Sequence, residues 1–276
     1  DRSAASFLRA SGISPKGLVD LHRAFRGQEL LSPEQQDVYM RSHPLSRDRI
    51  RAAEAYLAAY GDQSEPNALA DYWFARVKGK ISAFELGTKW TLRRASSEPY
   101  PDIRAMRRAI AHHRNRNFGK AIPEIDRAIA LRPEDPYYHE LKGQILIENR
   151  QFSAARAAYG RAVDLAPADS QILSGYGRSL LASGQPRQAL EPLERARSRD
   201  FRDLRLLRDL AVAYAQTGQN GMASLVTAER YALQGRLFDA SIHAKRAVAQ
   251  LPVGSTGWQR AEDVLIATKS AKKRKK

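Results

Sequence analysis

The chain has 276 residues, 43% of them apolar, no cysteine, and a formal charge of +16 from 46 basic and 30 acidic side chains. That length suits one large or two modest domains and is ample for a buried core. The absence of cysteine excludes disulfides and thiolate metal sites, and no apolar run approaches the ~18 residues of a transmembrane helix. Six of the positive charges (Lys269, Lys272, Lys273, Arg274, Lys275 and Lys276) sit in the tail, which leaves 16 − 6 = +10 for a body whose arginines are spread along its length. A nucleic-acid binder needs a clustered basic stripe with aromatics or a known module; neither is present, and no nucleic-acid partner is expected.

The chain opens on Asp1 and runs straight into "DRSAASFLRASG", which reads as the end of a helix cut from something longer, with Gly12 at C′. A second helix starts with Ser14 as N-cap and Pro15 at N1, and places Leu18, Leu21, His22 and Phe25 on one face. After Gly27, Ser32, Pro33 and Gln35 offer a capping box for a short helix to about Met40. Pro44 holds His43 on an extended turn. Leu45 and Ile50 then staple a helix that runs to Gly61. "ALADYWFARVKGKISAFE" is amphipathic, with Trp73, Phe74, Val77, Ile81 and Phe84 available for a core, and Gly87 breaks it. The Pro-rich segment 96–102 marks a boundary.

Beyond it a period of 34 residues takes over (167 − 133 = 34 for Pro133 and Pro167). Small residues recur at Ala109, Gly143, Gly177 and Ala211, and again at Ala121, Ala155, Ala189 and Ala223; a large slot four positions after the latter holds Ile125, Tyr159 and Leu193. Each unit therefore reads as two antiparallel helices that approach closely at the small residues, with proline ending the second. This pattern resembles the tetratricopeptide repeat, a binding scaffold. In the fourth unit Gly235 stands where proline is due, and Ala228, Tyr231, Ala240, Ala247 and Pro252 set a second register. One helix over "GMASLVTAERYALQG" then serves two hairpins, and "STGWQRAEDVLIATKS" closes the array. The inner groove is expected to carry Gln144, Arg178, Arg205 and Arg208, basic chemistry suited to acidic or extended polypeptide.

Catalytic chemistry is hard to assemble. The histidines (His22, His43, His112, His113, His139 and His243) form no HExxH, and there is no Gly-rich phosphate loop, GxSxG elbow or cysteine nucleophile. His43, projected from a proline-fixed turn, is either a structural hydrogen-bonding group or a metal ligand.

Three segments in order carry a second resemblance: "DRSAASFLRASGISPKGLVDLHRAF", "SHPLSRDRI", and "DYWFARVKGKISAF" followed by repeats of the "PYYHELKGQIL" kind. They resemble the part of the BepA-like (YfgC-like) zinc metallopeptidases, HExxH enzymes related to HtpX, that follows their third zinc ligand. The resemblance implies an all-α chain: a helical remnant of a metallopeptidase domain over 1–62, connecting helices over 63–100, a tetratricopeptide solenoid over 101–268 and a basic disordered tail over 269–276. It also implies a periplasmic setting, and outer-membrane barrel proteins, their assembly machinery and the chain's own N-terminal peptidase domain as partners. His43 becomes a plug for the open zinc position of the full-length protein, while the chain itself lacks HExxH and is expected to bind no cofactor and to cut nothing. The alternative is a tetratricopeptide adaptor with no peptidase history.

Overall fold

A computed structural model describes residues 2–26, 47–60 and 67–273. Every regular element among the described residues is an α-helix. The chain divides into two units, Asp1–Trp73 and Phe74–Lys276. The expected capping box at Ser32, the turn at Pro44 and His43 itself lie outside the described residues, as does the Leu45 half of the staple.

The first unit contains α1 (Arg2–Ala10), α2 (Lys16–Ala24) and α3 (Arg47–Tyr60). Ser14 Oγ accepts a hydrogen bond from the Lys16 backbone N–H at 3.1 Å, but the N-cap of α2 is Pro15, one residue later than expected. α1 and α2 pack against α3, and Ala5, Val19, His22 and Ala53 are buried. Arg23 pairs with Glu54 across α2 and α3 at 2.7 Å, an exposed contact of little energetic weight.

α4 (Ala68–Glu85) carries the chain into the second unit, followed by α5 (Thr88–Ser96), which the sequence did not announce. The hairpins come next: α6 (Pro101–Arg114) with α7 (Phe118–Leu131), α8 (Pro136–Glu148) with α9 (Phe152–Leu165), α10 (Ser170–Ala182) with α11 (Pro186–Arg199), and α12 (Leu204–Gln216) with α13 (Asn220–Leu233). α14 (Leu237–Gln250) packs on α13, and α15 (Thr256–Lys273) packs on both. α13 therefore serves two hairpins, as the double register requires. Glu229 of α13 holds Arg197 of α11 at 3.0 Å and Arg260 of α15 at 2.7 Å, which bonds the last helices together where the period changes. α15 continues past Lys269 to Lys273, into the segment read as a disordered tail.

Two devices repeat with the period. Asp135, Asp169 and Asp203, spaced 169 − 135 = 203 − 169 = 34, each cap a first helix by accepting from the backbone N–H two residues on. At the turn inside each hairpin, Arg116, Arg150, Gly184 and Gly218 all adopt positive φ, between 56° and 79°. Glycine suits that left-handed turn; the two arginines occupy it at a steric cost.

The core follows the small-residue pattern. A Cβ on Gly143 would strike the Tyr159 ring, one on Gly175 would meet the far edge of the same ring, and one on Gly177 would strike Leu193. Ala121, Ala155 and Ala189 are fully buried where the second helices cross. The sequence period thus encodes interhelix distance: without a Cβ on the first helix, the large side chain of the second can reach through.

Candidate protein-binding face

The first helices of successive hairpins touch one another, α8 with α10 and α10 with α12, and so form one continuous inner face. Its two ends differ. Over α6 and the start of α8 the face is covered by the second half of α4. Gly79 makes this possible: a Cβ there would stand 3.1 Å from Ile103 Cγ2 and 3.6 Å from the Met106 methyl. Arg76 forms a two-pronged, nearly solvent-free ion pair with Asp135, the same carboxylate that caps α8, and its guanidinium lies over the Tyr138 ring at 4.1 Å. Lys80 reaches Glu140 at 3.4 Å. Arg114 donates to the backbone carbonyls of Ala83 and Leu86, fastening the end of α4.

This placement corrects the expected core of α4. Phe74, Val77 and Ile81 are more than half exposed and Trp73 is 39% exposed. The helix buries Arg76 and Ala83 instead. An amphipathic pattern offers more than one stripe, and here the one holding Gly79 and Ala83 makes the contact because these two small residues allow a close approach.

Beside the end of α4 lies a cleft of about 610 Å³ lined by Phe84, His113, Arg114, Arg116, Phe118, Gln144 and Glu148. His113 is buried on α6 and its Nε2 lies 2.9 Å from the Glu148 carboxylate, to which Gln144 also donates at 3.2 Å. Gln144 thus lines this cleft and is tied to Glu148.

Farther along, the face is open and basic. Arg178 on α10 donates from Nε to Asp209 on α12 at 2.6 Å, and Arg208 reaches the other oxygen of the same carboxylate at 3.0 Å. Arg205, one turn before Asp209, is exposed. Arg178 and Arg208 therefore share one buried aspartate that the sequence does not announce, and Arg205 lies one turn before it on α12. The signal is the place of Asp209 within the apolar stripe of Leu206, Leu207, Leu210 and Ala213 on α12, where a buried charge must be paired. The Tyr159 hydroxyl comes up beside Gly175, next to this group. Burial pushes its pKa up, Glu140 adds to the shift, and Arg178 and Arg205 oppose it.

Nothing here builds a zinc centre: among the described residues no group of three or more His, Cys, Asp or Glu is arranged to hold a metal ion. No helix among the described residues is long and apolar enough to cross a membrane.

Residues 106–170 match one family model of the tetratricopeptide repeat and residues 146–211 match a second. No curated protein matches the chain. Among solved structures, MamA 41-end from Desulfovibrio magneticus RS-1 is 17% identical, with 59% of this chain and 94% of that one covered and a TM-score of 0.50. A MamA RS-1 double mutant gives the same values. YrrB, described as a TPR protein with an unusual peptide-binding site, is 17% identical over 66% of this chain and 97% of its own at a TM-score of 0.46. At such identities the likeness concerns the fold alone.

These matches overturn the resemblance to BepA-like zinc metallopeptidases. The family matches are to repeats, the structural neighbours are repeat proteins, and nothing indicates a metallopeptidase. The zinc, the peptidase remnant and the barrel-assembly partners rested on that resemblance and have no other support. The physical reason is plain. "PYYHELKGQIL" is what any hairpin of this period needs at its close contacts, "DYWFARVKGKISAF" is a helix docked on the repeats, and "SHPLSRDRI" is a short turn-and-cap pattern that falls mostly outside the described residues. What stands is an all-α fold among the described residues, in which residues 106–211 match tetratricopeptide-repeat models.

Proposed function

We propose that this protein is an interaction scaffold that holds a segment of partner polypeptide along the inner face of α8, α10 and α12. One observation carries the reading. The inner face is closed over α6 by α4, yet from Gln144 to Arg208 it presents polar and basic side chains to solvent on helices whose other sides are packed. Repeats of this type bind proteins by such faces, and the residues that fix the face are structural pairs rather than a reacting constellation.

Hydrogen exchange on the full chain with and without a bound polypeptide tests the proposal. Protection is expected on α8, α10 and α12. Protection confined to the outer helices α7, α9 and α11 would count against it.

A further inference from the structure

Within the scaffold reading, on which this inference rests, the chemistry of the open face narrows the partner. We infer that Arg178, Arg205, Ser174 and Tyr159 form a carboxylate-reading site, so that the bound polypeptide is acidic. Asp209, 5% exposed, sits under the face and takes the Arg178 Nε at 2.6 Å. That bond fixes the guanidinium plane and leaves its two terminal nitrogens for a ligand, the fork that suits a carboxylate. Arg205 lies one turn away with no side-chain partner among the described residues. Ser174 is 3% exposed, on the inner side of α10, and its Oγ has no hydrogen-bond partner; a buried hydroxyl left this way asks for one. The Tyr159 hydroxyl adds another donor beside Gly175.

The neighbouring carboxylates are already satisfied. Glu140 is held by Lys80, Glu148 by His113 and Gln144, and Asp209 by Arg178 and Arg208. The covered end of the face shows the complementary case: its acids Asp135 and Glu140 receive Arg76 and Lys80 from α4. Two acids of the covered end are thus taken by cations of α4, while Arg205 at the other end is exposed. The three acids set along the face disfavour a polyphosphate track, which needs cations without intervening carboxylates and aromatic faces for stacking.

Fluorescence anisotropy on the full chain tests this with fluorescein-labelled (Glu-Ala)4, its (Gln-Ala)4 counterpart and a single-stranded dT12. The Glu peptide is expected to bind about tenfold or more tightly than the Gln peptide. Arg205→Ala should weaken it by about tenfold, and Arg187→Ala, on the outer helix α11, by less than twofold. Arg178→Ala should act like Arg205→Ala, but it also strips a partner from Asp209; Arg205 is exposed and makes no side-chain hydrogen bond or ion pair among the described residues, so its variant keeps the fold. Equal losses with Arg205→Ala and Arg187→Ala would reduce the effect to diffuse charge and overturn the site. Binding of dT12 that exceeds the Glu peptide and is lost with Arg205→Ala would overturn it in favour of nucleic acid. If the Gln peptide binds as well as the Glu peptide and still protects α8, α10 and α12 from exchange, the carboxylate site fails while the scaffold reading survives. If no peptide protects that face, both fail.

Discussion

Tyr159 occupies the space that a side chain on Gly143 would need, with ring carbon Cε2 only 2.6 Å from where a Cβ would stand. The ring cannot slide away, because its far edge meets the same restriction at Gly175. In Gly143→Ala the helix gains about 1 kcal/mol of propensity, but the overpacking costs about 1–3 kcal/mol. The expected outcome is a net loss of up to about 2 kcal/mol in denaturant unfolding. Gly160→Ala, whose Cβ would lie 3.9 Å from Tyr176, is the contrast: it should leave stability unchanged or raise it.

The hairpin turns offer the opposite experiment. Arg116 and Arg150 hold φ of 56° and 59°, where the later hairpins place Gly184 and Gly218. An L-residue in that conformation costs about 1–2 kcal/mol, against which glycine loses about 0.5–1 kcal/mol of chain entropy. Arg116→Gly and Arg150→Gly should each stabilise the repeats by about 0.5–1 kcal/mol, read as a raised melting temperature. Unchanged or lowered melting in both variants would mean that the arginine side chains contribute contacts that offset the backbone cost.

Asp135 has two duties, capping α8 and holding Arg76, and one substitution separates them. Asparagine caps a helix as well as aspartate does, so Asp135→Asn keeps the α8 cap and leaves Arg76 without its nearly buried counter-charge. Removing one partner of such a pair costs about 3 kcal/mol. Amide exchange in the second half of α4 should accelerate while α10 and α12 stay as protected as before. Uniform acceleration across the repeats would show that α4 is not separately released.

The first unit carries a pH response. His22 is buried, and desolvation, followed by the Arg49 charge, holds its pKa below the ordinary histidine value. A folded-state pKa depressed below the unfolded one means that the unfolded chain takes up the proton first as pH falls. The packing of α2 on α3 is therefore at full strength above the unfolded pKa of about 6.5 and weakens as pH drops through and below it. Exchange of α2 amides should quicken between about pH 6.5 and 5 beyond the intrinsic pH trend. His22→Leu should remove that dependence.

The sequence by itself determined the repeat. A 34-residue recurrence of small and large positions specifies where two helices cross, and Gly143 against Tyr159 and Gly177 against Leu193 meet as that arithmetic requires. It also placed Arg178, Arg205 and Arg208 on the first helices, because offset within a repeat is offset on a face. The tertiary structure alone decided which side of α4 is buried, since Trp73, Phe74, Val77 and Ile81 satisfy a core pattern as well as Arg76, Gly79 and Ala83 do. The choice was made by a glycine's closeness to Ile103 and by an ion pair to a residue 59 positions away, neither of which local periodicity records. The same holds for Asp209, whose meaning lies in an arginine 31 positions earlier. Long-range charge pairing is set by how hairpins stack, whereas periodicity is set within each hairpin.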